Sequence, residues 1–148
     1  MQTMKPIPTL LALVALLTAP SVAAAQDSER DGVELPDRDD EKLGVLDMAI
    51  GTDIESRKPV GVSDRFRADV GKLACWIKIR NDGDPTELTV VWRFDDNETQ
   101  RQTVEVGTSP RWRSWTRQRV WGKFSGDWSC EVLTDDGESL GKAVVRVN

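Results

Sequence analysis

Beyond Gly44, the apolar residues of this 148-residue chain recur at every second position in short runs. In KLACWIKIR, Leu73, Cys75, Ile77 and Ile79 fall on one face, and Trp76, Lys78 and Arg80 on the other. LTVVWRF groups Leu88, Val90, Trp92 and Phe94, and GDWSCEVL groups Trp128, Cys130 and Val132. VLDMAIGTDI alternates as well, with Leu46, Met48, Ile50 and Ile54 on one side; TQRQTVEV turns Val104 and Val106 inward, and LGKAVVRV closes the chain. A period of two is that of a β-strand with one face in a core. The runs are separated by NDGDPTE, DDNE, GTSPR and DDGES, which are rich in turn formers, while ESRKPVGVSDRF reads as a connection. No convincing helical stripe interrupts them, so residues 44–148 are predicted to form one all-β domain, an antiparallel sandwich.

The order of three residues sharpens this expectation. Cys75, Trp92 and Cys130 follow one another on inward-facing positions of three predicted strands, which is the core order of an immunoglobulin-like sandwich. It predicts an inter-sheet disulfide between Cys75 and Cys130 with Trp92 packed beside it. A bridge closing a loop of that length stabilises by roughly 4 kcal/mol at most; two buried free thiols are the alternative. The residue two before the second cysteine is Trp128 rather than the Tyr of antibody-type domains, so a corner hydroxyl is absent.

The N-terminal third is different. Lys5, the apolar stretch Ile7–Leu17 and the small residues Ala23, Ala24 and Ala25 follow the order of a secretory signal peptide. Residues 1–25 are predicted to be removed, leaving no stable membrane insertion; retention as an anchor is the alternative. An oxidising destination agrees with the disulfide. Residues 26–43 form an acidic segment with little to bury, read as a flexible linker. Eight acidic and three basic residues fall within 26–42, against seventeen and sixteen in 43–148. The folded part is therefore nearly neutral and makes no case for nucleic acid. Histidine is absent altogether, which removes the commonest general base and the commonest metal ligand.

The densest chemistry lies in RWRSWTRQRVWGK, residues 111–123. Arg111, Arg113, Arg117, Arg119 and Lys123 are interspersed with Trp112, Trp115 and Trp121; guanidinium groups fork onto carboxylate or phosphate, and indoles stack on flat partners. Trp112 and Trp115 cannot both point inward in a regular strand. Trp112, next to a turn, is expected outside, and Trp115 inside against Trp128. Trp76, opposite in parity to Cys75, is a second candidate for exposure and binding. The alternative for the whole segment is structural, with tryptophans in the core and arginine stems covering the outer face. FDDNET carries oxygen donors at Asp95, Asp96, Asn97 and Glu98 but lacks calcium-loop spacing, and reads as a solvated turn. No metal, cofactor or catalytic residue is expected.

On LTVVWRF, the R-x-W-T run at Arg113–Thr116, and GDWSCEV followed by DGESL, the chain resembles a bacterial family, the domain of unknown function 2914, over about residues 45–148. The resemblance implies a small exported or envelope-associated β domain and carries no known activity. Together these readings predict an exported, periplasmic or extracellular, non-catalytic binding or assembly module of the bacterial envelope, its partner an envelope protein or an acidic glycan. The alternatives are a carbohydrate-binding domain using exposed Trp and Arg, and a small hydrolase without histidine.

Overall fold

Eleven strands and no helix form among residues 32–148, the part of the chain described in this computed structural model. They are β1 (Val33–Glu34), β2 (Leu43–Gly51), β3 (Asp53–Glu55), β4 (Lys58–Val60), β5 (Arg65–Phe66), β6 (Lys72–Asn81), β7 (Thr86–Phe94), β8 (Asn97–Val106), β9 (Ser109–Arg119), β10 (Gly126–Leu133) and β11 (Ser139–Val147). The larger sheet runs β1-β11-β10-β7-β8, with β5 added in parallel to β11. A three-stranded sheet runs β2-β6-β9, and β3 and β4 form a separate hairpin. The predicted signal peptide lies outside the described residues.

The two main sheets share one core. Met48, Ile50, Leu73, Cys75, Ile77 and Ile79 come from the smaller sheet, and Leu88, Val90, Trp92, Trp128, Cys130 and Val132 from the larger. The inward sets of β6, β7 and β10 are those that the period of two predicts. In β2 the register shifts between Val45 and Asp47. This bulge puts Val45 into the core in place of Leu46, which is half-buried.

The centre of the sandwich joins the sheets through four residues. Cys75 is the register partner of Thr116, and Cys130 of Trp92. The Trp92 indole N–H donates to the Thr116 hydroxyl at 2.9 Å, across the layer between the sheets. The expected bridge is not formed here: Cys75 and Cys130 are free, fully buried thiols. Their closest approach of 2.6 Å is longer than the roughly 2.05 Å of a sulfur–sulfur bond. Burial pushes the Cys130 thiol well above its usual pKa, and the neighbouring Cys75 adds to the shift.

At one end Phe94, Phe124 and Trp128 pack together, with Phe94 and Trp128 centroids 5.1 Å apart. Trp128 donates its indole N–H to the Phe124 carbonyl, four residues upstream, at 3.1 Å. β10 opens here at Gly126. Its φ of 157° and an ideal Cβ only 2.8 Å from the Asp95 carboxylate require glycine. Asp95 and Asp96, both at positive φ, form the two-residue turn between β7 and β8. Asp95 also accepts the Asp127 N–H at 3.0 Å, so FDDNET is a hairpin turn.

The segment 26–43, expected to be a flexible linker, joins the fold from Val33. β1 pairs with β11, and Val33 and Leu35 pack on the core. Gly141 permits the approach of Leu35, whose side chain would lie 2.8 Å from a Cβ there. Arg38 bonds Glu41 and Glu138, while Arg80 donates to the Glu41 carbonyl at 2.6 Å and to that of Arg38 at 3.1 Å. Two arginines thus clasp an acidic segment whose composition alone resembles a solvated tail.

Candidate functional site

β9 pairs with β6 without a break from Lys72 opposite Arg119 to Ile79 opposite Trp112. Alternation along this ladder decides which side chains meet the core. Thr116, Gln118 and Val120 are buried, and Trp112 packs against the core cluster. Arg113, Trp115, Arg117 and Arg119 therefore project from the opposite, outer face. Both tryptophan expectations are overturned. Trp112 lies inward, its ring so close to Gly107 that a Cβ there would be 2.8 Å away. Trp115 stands outward and half-buried beside Trp76. The signal was present in the sequence: Trp115 shares its parity with Arg111, Arg113, Arg117 and Arg119, which need water, and Trp112 does not.

Trp76, expected to be exposed, is 7% accessible. The β3–β4 hairpin lies over it, and its indole N–H donates to the Arg57 carbonyl at 3.0 Å. This hairpin turns through Ser56 and Arg57, both at positive φ without a glycine, which is why the segment reads as a connection in the sequence.

The outer face of β6 and β9 then reads in rows. Lys72 faces Arg119, Ala74 faces Arg117, Trp76 faces Trp115, and Lys78 faces Arg113. Two of these rows set like charges directly opposite one another, an arrangement that destabilises a sheet pair. Against these five cations stand Asp47, in register with Lys78, and Asp53 on the hairpin. Asp53 accepts from Lys72 at 3.1 Å and from Arg117 at 3.3 Å. Its pKa is lowered to about 2, first by the Ile54 N–H and then by Lys72. Among the described residues, the guanidinium groups of Arg111, Arg113 and Arg119 have no hydrogen-bond or ion-pair partner. Arg111 is exposed where β9 begins, beside the register shift between Ile79 and Asn81.

Where β9 ends, Val120 bonds the Gly71 carbonyl and the chain releases Trp121, which is 55% exposed. Its ring leans on Phe124 at 6.0 Å. Beside it lies an open groove of roughly 730 Å³, lined by Lys72, Gln100, Arg117, Gln118 and Arg119 among others. Lys72 and Gln100 are additions that sequence reasoning did not select. They come from β6 and β8, and only the strand pairing brings them to the end of β9. Gln118 is committed to structure, accepting from Thr99 at 3.0 Å and donating to the Arg119 carbonyl at 2.8 Å. Gln100 makes one long contact, to Gln102 at 3.4 Å.

Residues 85–147 match the family described as protein of unknown function (DUF2914), and the chain resembles that family. The match is narrower than the resemblance read from the sequence. It takes in β7 to β11, with Trp121 and all of β9, but not β6 or the hairpin that carries Asp53. No curated protein matches the chain.

Proposed function

We propose that this chain is an exported, non-catalytic binding module of the bacterial envelope, and that the outer face of β6 and β9 holds an acidic partner. The observation that carries the reading is the register of that face, where Lys72 meets Arg119 and Lys78 meets Arg113. A sheet that places cations opposite cations loses stability there, and a bound anion offsets that loss. Guanidinium groups without an internal partner are also ready to fork onto an incoming carboxylate or phosphate.

The finer architecture is part of the proposal. The immunoglobulin-like reading is supported by the sheet orders β2-β6-β9 and β11-β10-β7-β8, with the cysteines on β6 and β10, one in each sheet. The Trp128 indole supports this reading by bonding the backbone four residues upstream, the task of the corner hydroxyl in antibody-type domains. In an oxidising compartment the facing thiols of Cys75 and Cys130 close into a disulfide, with loss of two protons and two electrons to a thiol oxidant. Thiol titration of the mature protein, unfolded without reductant, is expected to find none; two per chain would contradict the bridge. The leader supports export, with cleavage after Ala25.

The binding reading is tested with heparin as a general polyanion. Wild-type protein is expected to bind at low salt and to weaken as salt rises, because exposed charges are screened within about 8 Å at physiological ionic strength. Arg113→Gln with Arg119→Gln is expected to elute at clearly lower salt, with an unchanged circular dichroism spectrum. Absence of wild-type binding at low salt, or equal elution of the variant, contradicts the proposal.

A further inference from the structure

We infer that the groove beside Trp121 is a subsite for one sugar ring of a carboxylated glycan, a uronate polymer that continues along the β9 cations. The inference rests on the proposed anion-binding face and names its ligand class. Three observations lead to it. Trp121 is 55% exposed in a chain whose other tryptophans are buried or half-buried. An indole held open to water by its neighbours is a stacking platform, with an apolar face and a polar edge. Here Phe124 supports the ring from one side at 6.0 Å. The groove in front of it holds roughly 730 Å³, within the few hundred to about a thousand Å³ of small-molecule sites.

The lining matches the parts of a uronate separately. The apolar C–H face of a pyranose ring lies on the indole. The Gln100 amide, held by a single long contact at 3.4 Å, offers donors and an acceptor to ring hydroxyls. Arg119, which has no partner among the described residues, offers a fork to the carboxylate. Lys72 and Arg117 are already shared with Asp53, so the incoming carboxylate competes with that side chain for them. A polyphosphate or an acidic peptide uses the same cations but has no ring to lay on Trp121. That difference assigns the ligand to the sugars and supplies the test.

Binding is measured by calorimetry at low salt with three probes: uronate tetramers (galacturonate and mannuronate), polyglutamate, and a neutral galactose tetramer. The wild type is expected to bind a uronate tetramer and not the neutral one. Trp121→Ala is expected to weaken uronate binding at least tenfold while changing polyglutamate binding less than twofold, and Trp121→Phe to restore most of the loss. Arg119→Gln is expected to weaken both acidic probes. If Trp121→Ala leaves uronate affinity unchanged, or polyglutamate binds better than either uronate, the sugar subsite is overturned while the anion-binding face stands. If neither acidic probe binds the wild type, the face itself fails and the subsite with it. Trp121 is exposed, and the thermal melts of its two variants are expected to coincide with that of the wild type, while that of Arg119→Gln is expected to be equal or slightly higher.

Discussion

The two outer faces of the sandwich use similar residues in opposite ways. On the larger sheet, register sets opposite charges together: Asp127 faces Arg146, Glu131 faces Lys142, and Glu34 faces Lys142. Arg93 bonds Glu131 at 2.7 Å, Arg101 bonds Glu98 at 2.7 Å, and Arg146 bonds Asp127 at 3.1 Å. Its like-charge rows are Glu87 opposite Glu105 and, at the parallel β5 edge, Arg65 beside Arg146, whose guanidinium is bound by Asp127. On the smaller sheet, register sets cations together, and Arg113 and Arg119 have no side-chain partner among the described residues. Net charge is blind to this difference, since the folded part is nearly neutral as a whole. A face that neutralises itself needs nothing further, whereas the face that repels itself is, in the proposed function, completed by an acidic partner.

The largest expected effect separates core from face. Trp92 is fully buried and bonds Thr116 across the sheets, so Trp92→Ala is expected to destabilise by about 3–5 kcal/mol. Trp115 is half-buried on the outer face, and Trp115→Ala is expected to cost about 1 kcal/mol, near the average for point mutations. Urea unfolding of the two variants measures the gap. Equal losses would place Trp115 in the core and remove it from the face.

Next comes a pair of exchanges that breaks the comparison itself. Arg113→Glu with Arg119→Glu is expected to abolish polyanion binding and to leave stability unchanged or slightly higher, because two repulsive rows become attractive. Arg93→Gln on the other face is expected to leave binding intact and to lower stability by about 1 kcal/mol, because Glu131 loses a partly buried partner. Reversal of either pattern would mean that the faces have been assigned the wrong roles.

The smallest effects belong to Asp53. Asp53→Asn is expected to raise polyanion affinity a few-fold by releasing Lys72 and Arg117. The native carboxyl has a pKa of about 2, below the roughly 3.9 of an unfolded Asp. Its contribution to stability is therefore complete above about pH 4 and is lost as pH falls through about 2. Carbon-detected titration of the Asp53 carboxyl is expected to find it ionised at pH 3; a midpoint near 4 would mean that the pairing is absent in solution.

The sequence exposes this architecture where alternation is undisturbed. β6, β7 and β10 keep a strict period of two, so their inward sets, including Cys75, Trp92 and Cys130, are readable directly. In β2, one bulged residue exchanges Val45 for Leu46, and nothing local announces it. On β9 the two tryptophans three positions apart compete for the core, and hydrophobicity alone does not choose between them. The arginines choose, because Arg113, Arg117 and Arg119 share their parity with Trp115. The cover over Trp76 comes from a hairpin whose turn lacks glycine, and the docking of residues 33–43 rests on arginine bonds to backbone carbonyls. Neither is written in composition. The groove at Trp121 was equally hidden, since Lys72, Gln100 and Arg119 meet there only through pairing and the return of β8 toward β9.

The central claim, that the β6–β9 face is the binding surface, is tested most directly through the six indole N–H groups of the chain. Those of Trp76, Trp92 and Trp128 are tied to Arg57, Thr116 and Phe124, and Trp112 lies against the core. Nitrogen–proton spectra are recorded while an acidic oligosaccharide is added at low salt. The indole signals of Trp115 and Trp121 are expected to move in a saturable, salt-reversible way while the other four stay in place. Movement of all six together, or stationary Trp115 and Trp121 signals in the presence of binding, would contradict the assignment.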